Sequence, residues 1–320
     1  MIPDRINPAP IHPSSPHITL RQTQEYSGHT GSVFAMALSE DEKWLFTSGD
    51  DGIVAQWDLH AVRDQGTAIL RTDRSIYALL CLPDNRLMAG TSDGTLYLLD
   101  LNDHKIIHTL RKTTASIYNL HFDKVTGMIW CLHGLGRLTL FEAANLREIA
   151  YLQLSARHLR SVCESADGQN MFIGTSDNRI LVLDRRQAGL LQEWEAHKNS
   201  VFSLAILPDT DYLLSGGMDA HLNIWDTKNS FKLVKSLPAH YFTVNDIVIS
   251  PDGNYFATAS RDKTFKLWNS LSFDLLKVVD YERNQAHRHS INRIKWLKAD
   301  NNILSCSDDR RIIRWKVILN

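Results

Sequence analysis

The sequence predicts an all-β protein folded as one seven-bladed β-propeller. Short runs rich in Val, Ile, Leu, Tyr and Phe alternate with Asp-Gly, Pro-Asp and Ser-Asp turn signals, as in strands joined by tight turns. Aspartates such as Asp51, Asp93, Asp177 and Asp219 lie on a lattice with a 42-residue spacing, and a bulky apolar residue follows each of them after six residues. No amphipathic helical pattern of three turns occurs. Strand-rich repeats of this length indicate the blades of a propeller.

The composition is that of a folded globular domain. Of the 320 residues, 43% are apolar and 22% are charged, which excludes a disordered chain. The formal net charge of −1 creates no overall field that would attract nucleic acid or an anionic membrane, so neither is expected as a partner. The four scattered cysteines, without CxxC spacing, are expected to be buried apolar residues, so no metal or other cofactor is predicted. The absence of a long apolar run or signal-like segment predicts a cytoplasmic protein.

The first two segments of the chain have different predicted roles. Residues 1–16 hold five of the nine prolines and are predicted to be a flexible tail. Residues 17–26, HITLRQTQEY, alternate Ile18 and Leu20 with polar residues, as a half-buried strand does. Because the chain ends five residues after Trp315, the seventh unit lacks room for its outermost strand. We therefore expect residues 17–26 to complete blade seven, and the propeller to span residues 17–320. Deleting residues 1–16 should be tolerated, whereas deleting residues 1–26 should give insoluble protein.

Seven units follow at a nearly constant spacing. Their turn positions are Asp51, Asp93, Leu135, Asp177, Asp219, Asp262 and Asp309. The bulky apolar residues six positions later are Trp57, Leu99, Phe141, Leu183, Trp225, Trp268 and Trp315. In the four units that carry this tryptophan, a histidine precedes it by 28 residues: His29, His197, His240 and His287. Four histidines at one offset indicate a role that belongs to the repeat itself.

These pairs of motifs resemble the repeat of the WD-repeat (G-protein beta-subunit-like) family. Its unit carries Gly-His near the start and Trp-Asp near the end. Gly28-His29 with Trp57-Asp58 matches both ends, and Ala196-His197 with Trp225-Asp226 matches nearly as well. Units six and seven depart from the pattern at Trp268-Asn269 and Trp315-Lys316. The resemblance covers about residues 17–320 and implies four antiparallel strands in each blade.

The resemblance implies one buried hydrogen-bond chain in each unit that keeps all four residue types. Its expected members are His29, Thr47, Asp51 and Trp57; His197, Ser215, Asp219 and Trp225; His240, Thr258, Asp262 and Trp268; and His287, Ser305, Asp309 and Trp315. Units two to four place Ala89, Cys131 and Ile173 at the hydroxyl position, so apolar packing is expected there. Since the His–Asp pair recurs four times at one spacing, a structural role is favoured over acid–base catalysis.

The resemblance also implies a ring of side chains around the mouth of a central channel, on the top face. One residue near the start of each innermost strand is expected there: Phe34, Tyr77, Tyr118, Arg160, Phe202, Asn245 and Asn292. The residue before each turn position is expected beside them: Asp50, Ser92, Ser176, Met218, Arg261 and Asp308. Unit three departs from the pattern, because Leu135 occupies its turn position after Gly134. Aromatic and arginine side chains dominate binding energy at protein interfaces, so a protein or peptide partner is predicted to bind here. The alternative is that several of the aromatic residues fill the channel or pack on neighbouring blades.

A second candidate surface is the long connection at residues 280–289, DYERNQAHRH, in which Arg288 and His289 are expected to be free.

The function predicted from the sequence is a noncatalytic scaffold, with a monomeric propeller working inside a complex. One alternative is a small-ligand binder or enzyme that uses Arg160, His158, Arg261 or Asp308 at the channel mouth. Another is an oligomer surface on the blade sides. The sequence contains no phosphate-binding glycine loop, nucleophile elbow or HExxH motif.

Overall fold

A computed structural model describes residues 18–62 and 65–319. These residues form seven sheets of four antiparallel strands each, so the predicted fold class is confirmed. The predicted tail, residues 1–16, lies outside the described residues, as does His17. In the described ranges, helical structure consists of the 3-10 turn Gly134–Gly136 and the short helix α1 (Tyr281–Asn284). Neither is long and apolar enough to span a membrane.

The strands follow one another along the chain with short connections, as the turn signals predict. In chain order they are β1 (Ile18–Ser27), β2 (Val33–Leu38), β3 (Trp44–Gly49), β4 (Ile53–Asp58), β5 (Thr67–Arg71), β6 (Ile76–Leu82), β7 (Arg86–Thr91), β8 (Thr95–Asp100), β9 (Lys105–Arg111), β10 (Ile117–Asp123), β11 (Met128–His133), β12 (Arg137–Glu142), β13 (Glu148–Gln153), β14 (Leu159–Glu164), β15 (Asn170–Thr175), β16 (Arg179–Asp184), β17 (Leu190–Glu195), β18 (Val201–Ile206), β19 (Tyr212–Gly217), β20 (His221–Asp226), β21 (Lys232–Pro238), β22 (Val244–Ile249), β23 (Tyr255–Ser260), β24 (Phe265–Asn269), β25 (Leu275–Val279), β26 (Ile291–Trp296), β27 (Ile303–Ser307) and β28 (Arg311–Leu319). Blades one to six each contain four consecutive strands, beginning with β2, and the first strand of each set is innermost.

The first strand of the chain closes the ring. Blade seven has the strand order β1-β28-β27-β26, and β1 pairs antiparallel with β28 from Ile18 to Ser27, with one bulge at Thr23. The side chains of Ile18 and Leu20 are buried in the core between blades six and seven. Tyr26 is buried in the core between blades seven and one, where its ring centre lies 5.7 Å from that of Trp57. The strand therefore stabilises the ring by pairing and by packing.

The hydrophobic core is divided among the blade interfaces. Seven clusters of buried side chains are found in the described residues, one between each pair of neighbouring blades. Each middle strand is therefore covered on both faces, which accounts for its nearly unbroken apolar sequence. In β15, for example, Met171, Phe172 and Ile173 are all buried although their side chains alternate in direction.

A hydrogen-bond chain links two strands, the turn between them and the entering loop in blades one, five, six and seven. In blade one, the Trp57 indole N–H donates to Thr47 Oγ1, the Thr47 hydroxyl pairs with His29 Nε2, and His29 Nδ1 pairs with the Asp51 carboxylate, each at 2.8 Å. The other three blades repeat this arrangement at distances of 2.8–3.0 Å. A neutral histidine protonated at Nδ1 gives every donor an acceptor.

Breaking this chain is expected to destabilise the protein. Asp219→Ala or His240→Ala should lower the free energy of unfolding by about 2–4 kcal/mol, because the remaining buried polar groups lose their partners. Asp93→Ala is the matched control: Asp93 occupies the same lattice position in blade two, accepts hydrogen bonds from the nearby Thr91 and Thr95, and forms loose ion pairs with Arg74 and Arg111 at 3.8 and 3.5 Å. Its loss should cost less than half as much. Chemical denaturation measures the effect. If Asp219→Ala and His240→Ala unfold at the same denaturant concentration as wild type, the hydrogen-bond chain does not have this stabilising role.

Blades two to four use other contacts. Ala89, Cys131 and Ile173 are fully buried at the position where the other blades have Ser or Thr. Blades three and four are joined by an ion pair: Arg185 Nε donates to Asp123 Oδ2 at 2.8 Å, and a second bond joins its Nη2 to the same carboxylate. The Asp123 and Arg185 side chains are 0% and 4% exposed. Arg185 Nη2 also donates to Glu164 Oε2 at 2.6 Å. This cluster lies off the repeat lattice, and sequence reasoning missed it.

Candidate functional site

A β-bulge near the start of every innermost strand orients the predicted mouth residues. In each blade the pairing register shifts by one residue directly after the first strand residue, for example between Val33 and Ala35 in β2. The bulged residues are Phe34, Tyr77, Tyr118, Arg160, Phe202, Asn245 and Asn292. A bulge changes the direction of a side chain. Each bulged residue is therefore half-buried, although the strand residue before it is fully buried.

These seven residues line one cavity together with Arg293, which the sequence analysis did not identify. The cavity has a volume of about 330 Å³ and lies where the innermost strands begin, which we call the channel mouth, on the top face. A second cavity of about 370 Å³ lies deeper in the channel and is lined by residues from all seven innermost strands. Tyr77, Tyr118 and Phe202 line both cavities.

The aromatic side chains at the mouth contact one another from blade to blade. The Phe34 and Tyr77 rings meet edge to face at 5.3 Å, and the Tyr77 and Tyr118 rings stack at 5.8 Å. The Arg160 guanidinium carbon lies 4.2 Å from the Tyr118 ring centre and 4.9 Å from the Phe202 ring centre. Part of the surface of these aromatic side chains is thus used in packing between neighbouring blades, as the alternative in the sequence analysis expects. The rings support one another while keeping part of their surface open.

The two asparagines at the mouth are occupied by contacts between blades. Asn245 Nδ2 donates to Ile291 O at 2.8 Å and to Ser290 Oγ at 3.1 Å. Asn292 Nδ2 donates to Val33 O at 2.8 Å and to Asp308 Oδ1 at 2.7 Å. Their amide donors therefore join neighbouring blades, and the aromatic and arginine side chains are the ones whose free surface faces the cavity.

The outer set of predicted site residues lies outside the cavity lining. Asp50 accepts a hydrogen bond from Ser75 Oγ at 2.8 Å, and Ser176 Oγ accepts one from Arg160 Nε at 2.9 Å. Asp308 contacts the mouth residue Asn292, whose Nδ2 donates to Asp308 Oδ1 at 2.7 Å. Met218 and Arg261 are exposed in turns of blades five and six. The structure thus brings the inner seven together and leaves the outer set around them.

Two exposed aromatic residues on the same face were missed by the sequence analysis. Tyr241 and Phe242, in the loop that enters blade six, are 88% and 58% exposed. Met218, in the turn of blade five, is 43% exposed. Large apolar side chains left open to solvent are typical of binding surfaces. The signal in the sequence was the pair Tyr241-Phe242, which stands where the other three His-containing units have polar residues or glycine.

The connection at residues 280–289 contains helix α1, whose first turn is capped by the Asp280 carboxylate accepting a bond from the Arg283 N–H at 2.8 Å. The expectation that Arg288 is free is wrong. Its guanidinium carbon lies 4.4 Å from the Tyr281 ring centre, and it bonds to the Tyr281 hydroxyl. His289 is exposed.

His158, the titratable group considered for catalysis, is held by its surroundings. Its Nδ1 accepts the backbone N–H of Leu135 at 3.3 Å, and its ring lies 5.2 Å from that of Tyr118. Burial lowers the pKa of His158, and the charges of Arg160 and Arg157 act in the same direction. In the described ranges, no three His, Cys, Asp or Glu residues are grouped so that they would hold a metal ion.

Comparison with known proteins identifies the repeat. The family model described as "WD domain, G-beta repeat" matches residues 20–58, 189–226, 231–269 and 281–316. These four segments contain the Trp residues of blades one, five, six and seven, in which the hydrogen-bond chain is complete.

Several curated proteins are similar in sequence. The chain is 24% identical over 204 residues to Autophagy-related protein 16 of Arabidopsis thaliana, with 62% of this chain and 39% of that protein covered. It is 25% identical to the Target of rapamycin complex subunit wat1 of Schizosaccharomyces pombe, covering 66% of this chain and 56% of the relative. The Saccharomyces cerevisiae guanine nucleotide-binding protein subunit beta is 24% identical, with 64% and 49% covered. The chain thus spans less than two thirds of these relatives.

Among solved structures, the WD40 β-propeller domain of Doa1 superposes with a TM-score of 0.81. The superposition covers 93% of this chain and 97% of that domain, at 16% sequence identity. At this identity the similarity concerns the fold.

Proposed function

Because this chain belongs to the WD-repeat family of β-propellers, we propose that it is a noncatalytic scaffold that binds a protein or peptide partner at the channel mouth. The observation that carries the proposal is the open aromatic and arginine surface formed by Phe34, Tyr77, Tyr118, Arg160 and Phe202. Such side chains contribute most of the binding energy at interfaces. The names of two relatives, a target of rapamycin complex subunit and a G-protein beta subunit, describe parts of larger assemblies.

The recurrent hydrogen-bond chain argues against an enzymatic role. Four histidines and four aspartates that would otherwise attract a catalytic interpretation are bonded to each other inside the blades. An enzyme needs titratable groups that converge on one open cavity. None of the eight side chains that line the mouth is a histidine, cysteine, aspartate or glutamate. The deeper cavity is lined, among others, by Cys81, His121 and Asp246, of which His121 is bonded to Glu164 and Asp246 to two backbone N–H groups. A binding scaffold needs no such group of titratable side chains, so it agrees better with the residues that line the mouth.

Affinity capture from the native cell extract, followed by mass spectrometry, tests this proposal. A Phe34→Ala, Tyr77→Ala, Phe202→Ala variant is expected to fold and to lose at least 90% of a partner that wild type retains, an effect of about tenfold or more. The three residues are half-buried, so the thermal melt of the variant is measured beside the capture.

The matched control removes three exposed apolar side chains from the blade sides: Ile106→Ala, Leu190→Ala, Leu191→Ala. These residues lie on the outermost strands β9 and β17 and are 49%, 49% and 60% exposed. The control should retain the partner. If instead the control loses the partner and the mouth variant keeps it, the interface lies on the blade sides and the proposal is wrong.

A further inference from the structure

We propose that the channel mouth recognises a carboxylate side chain of the partner, an aspartate or glutamate in an acidic peptide segment, and that Arg160 is its main ligand. This inference rests on the proposed function and specifies the chemistry of the partner. It follows from the unusual position of Arg160, from the second arginine beside it, and from the lack of a competing acidic group in the cavity lining.

Arg160 is a partly buried cation without an acidic partner. Its guanidinium lies between the rings of Tyr118 and Phe202, and Nε donates to Ser176 Oγ at 2.9 Å. No carboxylate forms an ion pair with Arg160 in the described part of the chain, and, although burial lowers its pKa, Tyr118 is the group that most favours its charged form by raising that pKa. A guanidinium binds a carboxylate through two parallel N–H donors, and packed rings on both sides fix the plane of that fork.

Arg293 strengthens the positive potential of the mouth. It lines both channel cavities, and its closest carboxylate oxygen, Asp246 Oδ1, is 3.9 Å from Nη1, which is too far for a hydrogen bond. The two Asp246 oxygens accept the backbone N–H groups of Ile247 and Ile294, at 3.1 and 3.0 Å. Both arginines line the mouth cavity. Burial lowers the pKa of Arg160, Tyr118 acts in the opposite direction, and the Arg293 charge lowers the pKa further. An arriving anion would relieve this repulsion.

Three acidic residues lie near the mouth, and each is already bonded. Asp246 lines the deeper cavity, forms a loose ion pair with Arg293 at 3.9 Å and accepts two backbone N–H groups. Asp50 accepts a hydrogen bond from Ser75, and Asp308 accepts one from Asn292. None of the three lines the mouth cavity, whose eight lining residues include two arginines and no acid. The protein therefore supplies the positive half of an ion pair in a half-enclosed cavity, where the effective dielectric is below that of water.

The surroundings indicate the rest of the segment. Phe242 lies three residues before the mouth residue Asn245, and Tyr241 and Met218 are exposed on the same face. A large apolar residue near the acid in the partner would contact one or more of these exposed side chains. The partner segment is therefore expected to combine one acidic side chain with a neighbouring apolar one.

The test uses the full chain and an array of synthetic random 12-residue peptides. Bound peptides are expected to be enriched in Asp or Glu at one position, next to an enriched large apolar residue. The best acidic peptide is then measured by fluorescence polarisation beside its Asp→Asn or Glu→Gln counterpart. The amide peptide should bind at least about tenfold more weakly, as should the acidic peptide with the Arg160→Gln variant. Arg160→Lys keeps the positive charge but lacks the planar guanidinium, so it should weaken peptide binding less than Arg160→Gln does.

Arg186→Gln is the control, because Arg186 is exposed in the turn after β16, at the opposite end of the channel. It should bind the peptide as wild type does. Thermal melts of all variants show whether each is folded. One outcome would overturn this inference and leave the proposed function standing. The bound peptides would depend on Phe34 and Phe202, show no enrichment in Asp or Glu, and bind the Arg160→Gln variant as tightly as wild type.

The remaining outcomes also decide. If no peptide binds, or if binders ignore Phe34, Tyr77 and Phe202, both the inference and the proposed function are wrong. Inorganic phosphate is added as a competitor of the acidic peptide. If phosphate alone displaces the peptide from the mouth, the site takes free anions and the carboxylate assignment is wrong. Loss of binding as salt rises is expected for an ion pair at a partly exposed mouth.

Discussion

Replacing Asp123 by alanine is expected to lower the free energy of unfolding by about 3–5 kcal/mol, because the change leaves a buried guanidinium without its main partner. Arg185 and Asp123 join blades three and four where the hydrogen-bond chain of the other blades is missing. The remaining bond from Arg185 to Glu164 places the effect toward the lower end of that range. Equilibrium unfolding in urea measures it directly.

Two controls separate the charge from other effects. The double variant Asp123→Leu, Arg185→Met removes both charges at similar volume, and it should recover most of the lost stability. Glu40→Ala removes a neighbouring ion pair, with Lys124, whose side chains are 82% and 72% exposed, and it should leave the unfolding curve unchanged. A double variant as unstable as Asp123→Ala would show that the buried charge is not the cause.

The same pair predicts how stability depends on pH. Burial by itself would raise the pKa of the Asp123 carboxyl, but hydrogen bonds from Arg185 and Thr126 outweigh burial and lower the pKa to about 2. A carboxyl whose folded pKa is depressed stabilises the protein above its ordinary pKa of about 4, and this contribution is lost as pH falls toward 2. The difference in stability between wild type and Asp123→Ala should therefore shrink below about pH 4.

Removing residues 1–26 is expected to abolish the soluble monomeric propeller. The deletion takes away nearly all of β1, so the edge of β28 is left unpaired and open to pairing with other chains. It also removes the buried side chains of Ile18, Leu20 and Tyr26, each of which contributes about 1.5–3 kcal/mol by burial. The sum is comparable with the whole stability of a domain, about 5–15 kcal/mol. Soluble yield and size-exclusion chromatography measure the outcome.

The deletion of residues 1–16 is the control, since it leaves all of β1 in place. It should give soluble, monomeric protein. A synthetic peptide of residues 17–27, added during refolding, should restore part of the soluble monomer from the longer deletion. A soluble monomer of the longer deletion without the peptide would contradict the role of β1 in ring closure.

The sequence by itself determined the features that recur at fixed spacing. The number of blades follows from seven lattice positions, and the ring-closing strand follows from Ile18 and Leu20 alternating with polar residues. His, Ser or Thr, Asp and Trp stand at the same offsets in four units, and the resemblance to the WD-repeat family implied that they form hydrogen-bond chains. The inner mouth residues each occupy the same place in their repeat, and the same resemblance implied that this place faces the channel. A repeated local pattern is readable from one chain because the chain provides its own comparisons.

Only the tertiary structure decided which side chains meet across blades. Arg160 lies between Tyr118 and Phe202, which belong to two other blades, and Asp123 pairs with Arg185 at a distance of 62 residues in the sequence. The bulges that orient the mouth residues leave no mark in composition, because they depend on how two paired strands twist. Such contacts depend on how each blade is rotated against its neighbour. That rotation is set by packing throughout the closed ring, which no local pattern in the sequence records.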